Sequence, residues 1–256
     1  MATLDRFDLY ELAVTNAGPL AAMLHGAWAG TSRRPVLRED FSGSGALARA
    51  WAERFGAAIA VDRDAAPLKA CAARAGEGVE LVRQDVRRCR RKADVIAATN
   101  FAMGYWHARV DLLAYVRRAA GCLKRGGLFC CDLYGGSDAF TTGTWTKRLR
   151  GPKGERVEYR WQQVEAMPQT GLVRNAIHFR VDGGPLLRDA FTYHWRLWSI
   201  PEMTDAMHEA GFSEVRVFDR LGDAIDSEGR VHVRPLEDDE PMDDPFVVYV
   251  AGRVGG

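Results

Sequence analysis

Three carboxylates recur along the chain at an interval of 23 residues: Glu39, Asp62 and Asp85. Between the first two lies Phe41-Ser-Gly43-Ser-Gly45, a turn suited to ligand approach. Glycine there allows positive φ and leaves no Cβ between a ligand and the backbone. Gly43-Ser-Gly45-Ala-Leu-Ala48 satisfies the dinucleotide fingerprint G-x-G-x-x-[GA], with Asp62 following at the end of the next strand. The acids before the glycines would repel a pyrophosphate, which counts against an NAD(P)-dependent oxidoreductase. A ligand bearing a sulfonium and an ammonium would be attracted to them.

For these residues to act together they must stand at the ends of neighbouring strands. PVLREDF (35–41), AAIAVD (57–62), VELVRQD (79–85), ADVIAATN (93–100) and LFCCDLY (128–134) read as strands. GALARAWAERF (45–55), APLKACAARAG (66–76) and VDLLAYVRRAAGCL (110–123) read as helices between them. Such alternation predicts a parallel sheet covered on both faces, with ligands held at the carboxyl ends of its strands. After Gly136 the period changes to two: 156–166, 172–182 and 185–198 form an antiparallel meander. A helix over 199–212, capped by Ser199, precedes two last strands, EVRVFDR (214–220) and PFVVYVAGR (245–253). The expected fold is therefore α/β: a Rossmann-like, doubly wound, mostly parallel seven-stranded sheet with an antiparallel β insertion and an N-terminal helical cap. The regions are 1–34 (cap), 35–136 (ligand-binding core), 137–198 (insertion) and 199–256 (return to the core).

Composition narrows the partners. Lys+Arg 35 against Asp+Glu 34 gives a net charge of +1, so bulk charge offers no argument for nucleic acid or membrane. No apolar run approaches the ~20 residues that span a bilayer. The five cysteines form no CxxC pair, so no metal site is expected, and the chain reads as a reduced, cytoplasmic protein. Arg87-Arg-Cys-Arg-Arg-Lys92 is the exception, with five basic residues in six positions. A solvated loop is its simpler reading, and RNA is the alternative partner it keeps open.

The segment Glu39-Asp-Phe41-Ser-Gly43-Ser-Gly45 resembles the first motif of the class I S-adenosylmethionine-dependent methyltransferases: an acid, then alternate glycines, after a strand. Here Phe41 replaces the first glycine, and charged residues before Phe-x-Gly resemble a bacterial branch of that superfamily. The resemblance covers residues 35–134. It implies that Gly43 and Gly45 face the methionine part of S-adenosyl-L-methionine, with Glu39 in the place of the motif's acid and Phe41 among the cofactor-binding positions. It further implies that Asp62, beside Arg63, accepts the ribose hydroxyls, that Asp85 and Val86 hold the adenine, and that Asn100 and Phe101 approach the reactive methyl. The N-terminal helix carrying Tyr10 is then a lid over the cofactor, and S-adenosyl-L-homocysteine is the product.

Methyl transfer from a sulfonium needs alignment more than covalent catalysis, and a general base only for a protonated acceptor. No nucleophile signature is present. The meander is expected to roof a small-molecule acceptor, methylated through oxygen or nitrogen. Its third strand places Phe191, Tyr193 and Trp195 on one face and His194 and Arg196 on the other. The acceptor-side candidates are Tyr105, Trp106, Tyr134, His194 and Arg196, with His178, His194 and Tyr105 as candidates for a catalytic group. The rival readings are an RNA methyltransferase and a protein that binds S-adenosylmethionine without turnover.

Overall fold

A computed structural model describes residues 4–226 and 231–255. Residues 1–3 and 256, the outer ends of the first and last expected regions, lie outside the described residues, as do 227–230. The order is α1 (Arg6–Val14), α2 (Ala17–Trp28), β1 (Leu37–Asp40), α3 (Ala46–Arg54), β2 (Ala58–Asp62), α4 (Ala65–Arg74), β3 (Val79–Arg83) and β4 (Ala93–Ala98). A 3-10 turn (Ala102–Tyr105), α5 (Arg109–Cys122) and β5 (Leu123–Gly135) complete the first half. The insertion is β6 (Gly143–Arg150), β7 (Arg156–Met167), β8 (Leu172–Val181) and β9 (Leu187–Arg196). It is followed by α6 (Ile200–Glu209), β10 (Phe212–Phe218), the short pair β11 (Ala224–Ile225) and β12 (Val231–His232), and β13 (Phe246–Val254).

The main sheet has the order β10-β13-β5-β4-β1-β2-β3. β13 runs antiparallel between β5 and β10, while β4-β5, β1-β4, β1-β2 and β2-β3 are parallel pairs. The order in which strands are added thus reverses between β1 and β4, the crevice where open α/β sheets hold ligands. One sheet face is packed by α2 and α3 through Met23, Leu24, Leu47 and Trp51. The other is packed by α5 and α6 through Leu112, Tyr115, Met203 and Met207. A third cluster joins Leu9 of α1 to Ile177 and Phe179 of the insertion. Only α1 therefore serves as a cap. α2, read with it from the sequence, lies in the core. Among the described residues no helix is long and apolar enough to cross a membrane.

The insertion is a separate four-stranded sheet, β6-β7-β8-β9. Its first strand was not expected, because GTWTKRLR has little apolar alternation; as an edge strand it is exposed over most of its length. α6 carries the expected cap, with the Ser199 and Glu202 side chains each bonding the other's backbone.

β1 is the unusual element: Leu37-Arg-Glu-Asp40 is buried throughout, three charges included. Alternation sends Arg38 and Asp40 to the α5 face, where Arg38 Nη2 donates to Asp40 Oδ2 at 2.8 Å and the Tyr115 hydroxyl donates to the same oxygen at 2.9 Å. Removing one partner of such a pair strands a buried charge. We predict that Arg38→Met costs about 3–5 kcal/mol in urea denaturation. Adding Asp40→Asn should restore much of the loss, since the amide still accepts from Tyr115; no recovery would contradict the account.

Candidate functional site

A cleft of about 750 Å³ opens over the carboxyl ends of β1, β2, β3 and β4. That volume lies in the range of small-molecule sites, roughly 300–1,000 Å³. Glu39, Asp62 and Asp85 all line it, as the 23-residue spacing predicts. Asp40 does not, because its side chain points to the opposite sheet face; only one of the two adjacent acids meets the ligand edge.

Each acid is held in its own way. Glu39 is 5% exposed and accepts the Ala48 amide at the start of α3 (2.8 Å). Burial pushes its carboxyl up to about 8, against the pull of the Ala48 amide and Arg49. Asp62 accepts the amides of Gly43 and Asp64, each at 2.9 Å, and burial raises its pKa as well. Each of its oxygens retains a lone pair for a further donor. Asp85 is clamped by the Arg87 guanidinium (2.5 Å at its shortest), which holds the carboxyl below its ordinary value. Arg87 lies 5.6 Å from the centre of the Trp106 ring, and Val86 is buried beneath this rim. With Arg87 paired to Asp85 and Arg91 to Glu80, two of the five cations in the basic run are spent locally.

The two glycines differ. Gly43 has φ +53° and open space where a Cβ would stand, so its backbone faces the cleft. Gly45 does not line the cleft, against the expectation for it: a Cβ there would meet Cys71 Sγ at 2.4 Å. Its role is close packing of α3 on α4. Phe41, in place of a first glycine, adopts the left-handed backbone itself at φ 57°. Its ring stacks on Tyr105 and meets Trp106 and Tyr115 edge-on, contacts that offset the strain. Asn100 and Phe101 are also left-handed, at φ 59° and 60°. Strain of this kind costs about 1–3 kcal/mol per residue and gathers at functional sites.

Asp132 explains how that pair persists. Its carboxylate accepts the Asn100 amide (2.9 Å) and the Phe101 amide (2.7 Å), and burial pushes it up to about 7. Sequence reasoning passed over it, although a lone acid inside the apolar run Leu128–Tyr134 was a signal. Glu11 was missed too: it accepts from Ser44 (2.6 Å) and pairs with Arg49 (2.7 Å), latching α1 onto the glycine turn. Asn100 lines the cleft, whereas Phe101 lies behind it against Tyr134 and Trp195.

Of the remaining candidates, Tyr10, Arg63, Tyr105 and Trp106 line the cleft, and Phe191 and Tyr193 join them from the roof. Tyr134 lies outside, bonded by Asn175 Nδ2 (3.3 Å). His194 sits on the outer face with its ring against His107. Arg196 bridges the His107 carbonyl and Glu202 and lies over Trp198 (3.7 Å). His178 is spent within the roof: Nδ1 accepts the Asp189 amide (2.9 Å), so Nε2 carries the proton and faces Gln162 (3.0 Å). The structure thus gathers the strand-end acids and aromatic residues and leaves both roof histidines out of the cleft.

The strand order and the site define the class I methyltransferase architecture. Residues 41–131 match the family model of a methyltransferase domain. Whole-chain similarity extends to solved structures. An S-adenosylmethionine-dependent methyltransferase from Clostridium acetobutylicum is 16% identical over 97% of both chains, with a TM-score of 0.72. DesVI from Streptomyces venezuelae is 19% identical over 100% of both, with a TM-score of 0.73. CalS10, an amino pentose methyltransferase from Micromonospora echinaspora solved with its cofactor bound, is 16% identical over 99% of both, with a TM-score of 0.72. No curated protein matches the sequence.

The residues fit the cofactor. Gly43 leaves a cradle that a Cβ would fill, Asp62 keeps acceptor capacity, and the buried Ser42 hydroxyl, on a residue lining the cleft, has no partner. Replacing Asp62 by Ala should weaken S-adenosylmethionine binding by about 1.5–3 kcal/mol, the scale of hydrogen bonds to a charged group; unchanged affinity by calorimetry would remove Asp62 from the site. Glu39 gives a pH test. A carboxyl raised on folding from 4.5 to about 8 takes up a proton between those values, so its contribution to stability falls as pH rises through that window. A bound ammonium favours the carboxylate and expels that proton. At pH near neutrality, calorimetry in buffers of different ionisation enthalpy should show proton release on binding, abolished in Glu39→Gln. Equal release in both would contradict the placement.

Proposed function

We propose that the protein transfers a methyl group from S-adenosylmethionine to a small-molecule acceptor held between the parallel sheet and the β6–β9 roof, through oxygen or nitrogen. The observation that carries this reading is the division of one cleft into two chemistries. Glu39, Asp62 and Asp85 occupy the side formed by β1, β2 and β3, while Tyr105, Trp106, Tyr193 and Tyr10 occupy the side formed by the β4 turn, the roof and α1.

S-adenosylmethionine supplies a methyl already activated on a cationic sulfur, so the chain has to orient and enclose rather than form a covalent intermediate. Asp62 offers its free lone pairs to the ribose, and Glu39 meets the amino-acid end. The Gly43 backbone admits that end closely. Asn100, fixed by Asp132, shapes the edge where the methyl is delivered. α1, latched by Glu11 to Ser44 and Arg49 and joined to the roof at Phe191, excludes water from the same space. The similar structures include KedS8, a sugar N-methyltransferase, and CalS10, an amino pentose methyltransferase, which supports an acceptor of sugar size. The free, buried cysteines suit a reducing, cytoplasmic setting.

The test uses S-adenosylmethionine labelled on its methyl, with a small-molecule cell extract and total RNA as separate acceptors. Label should enter the small-molecule fraction with stoichiometric S-adenosylhomocysteine release. Label confined to RNA, or binding without release in any fraction, would overturn the reading.

A further inference from the structure

Resting on that reading, we infer that the acceptor atom is an amine nitrogen, received by a wall of aromatic rings on the sheet-distal side of the cleft. The wall comes from three separate parts of the fold. Tyr105 follows β4, Phe191 and Tyr193 stand on β9, and Tyr10 reaches down from α1. The rings support one another: Tyr10 meets Phe191 at 4.8 Å between centroids, Tyr193 stacks on Trp195 at 4.2 Å, and Phe41 stacks beneath Tyr105 at 5.8 Å.

Two features separate an amine from a hydroxyl. The first is the supply of bases. A hydroxyl acceptor must lose its proton as it attacks, which calls for a positioned base. Among the described residues no histidine lines the cleft, and the acids that line it belong to the β1, β2 and β3 side. On the aromatic side the described titratable groups are phenols and the Arg6 guanidinium, which lies 5.5 Å from the centre of the Phe191 ring and, as a permanent cation, is no base. Tyr10 and Tyr193 are hydrogen-bonded to each other, and burial raises them and Tyr105, so all three stay protonated. An amine needs no such base, because its lone pair is already available in the neutral form.

The second feature is the charge that forms. As the nitrogen lone pair bonds to the methyl carbon, the C–S bond breaks and its electrons return to sulfur. The positive charge passes from sulfur to nitrogen, and an N–H proton leaves afterwards to water. The nitrogen cation then lies among ring faces, which attract cations through their quadrupoles. A neutral ether product would draw nothing from this wall.

The test uses choline as a cationic mimic of the methylated product and 3,3-dimethyl-1-butanol as its neutral isostere, titrated into protein saturated with S-adenosylhomocysteine. Choline should bind at least tenfold more tightly than the isostere. Tyr105→Leu should weaken choline at least fivefold more than it weakens S-adenosylhomocysteine, and Tyr105→Phe should retain both. Tyr105 is 42% exposed, and Tyr105→Phe keeps the ring that stacks on Phe41. Equal binding of the two probes, or equal loss in the Leu and Phe variants, would overturn the inference. Failure of the wild-type protein to bind S-adenosylhomocysteine would instead remove the methyl-transfer reading on which it rests.

Discussion

Everything at the site depends on how β1 disposes of three consecutive buried charges. A strand whose residues all lie inside the protein has nowhere to send a carboxylate except to a partner or a ligand. The pleat makes the choice. Arg38 and Asp40 close on each other and on Tyr115 under the sheet, while Glu39 turns to the α3 face, takes one amide and stays near neutrality in its proton affinity. Its burial beside the cleft destabilises the ionised form, and a cationic ligand relieves that cost.

The same logic extends across the crevice to β5. Asp132 has no cation beside it among the described residues; it is satisfied by two backbone amides, which fixes two left-handed non-glycine residues in sequence. Asn100 thereby lines the cleft and Phe101 packs into the roof. Together with Phe41, whose left-handed turn is held by aromatic contacts, these residues form a rigid edge. The roof and α1 share their own hydrophobic cluster, so the space over that edge is enclosed by packing distinct from the two cores of the sheet.

Much of this was legible from residue pattern. The alternation of apolar strands and helices predicted the doubly wound sheet, and the acids at strand ends predicted the cleft, because both follow from local periodicity and from where a parallel sheet places its carboxyl ends. The distinction between Gly43 and Gly45 was not legible, since it rests on Cys71 approaching from another helix. Nor could the exclusion of His178 be read, because the residue alternation that suggested a functional face says nothing of a bulge whose amide takes its Nδ1. Strand β6 escaped notice because an exposed edge strand need not alternate. α2 was grouped with the cap because sequence proximity to α1 does not reveal which face of the sheet a helix covers.

The central claim is that one cleft, built on the carboxyl ends of β1 to β4, binds S-adenosylmethionine. Hydrogen exchange read by mass spectrometry, with and without S-adenosylhomocysteine, tests it most directly. Protection should concentrate in residues 39–45, 62–64, 85–87 and 100–105 and in α1, with the bottom of the sheet and the outer face of the roof unchanged. Protection centred elsewhere, or no change in these segments at saturating ligand, would contradict it.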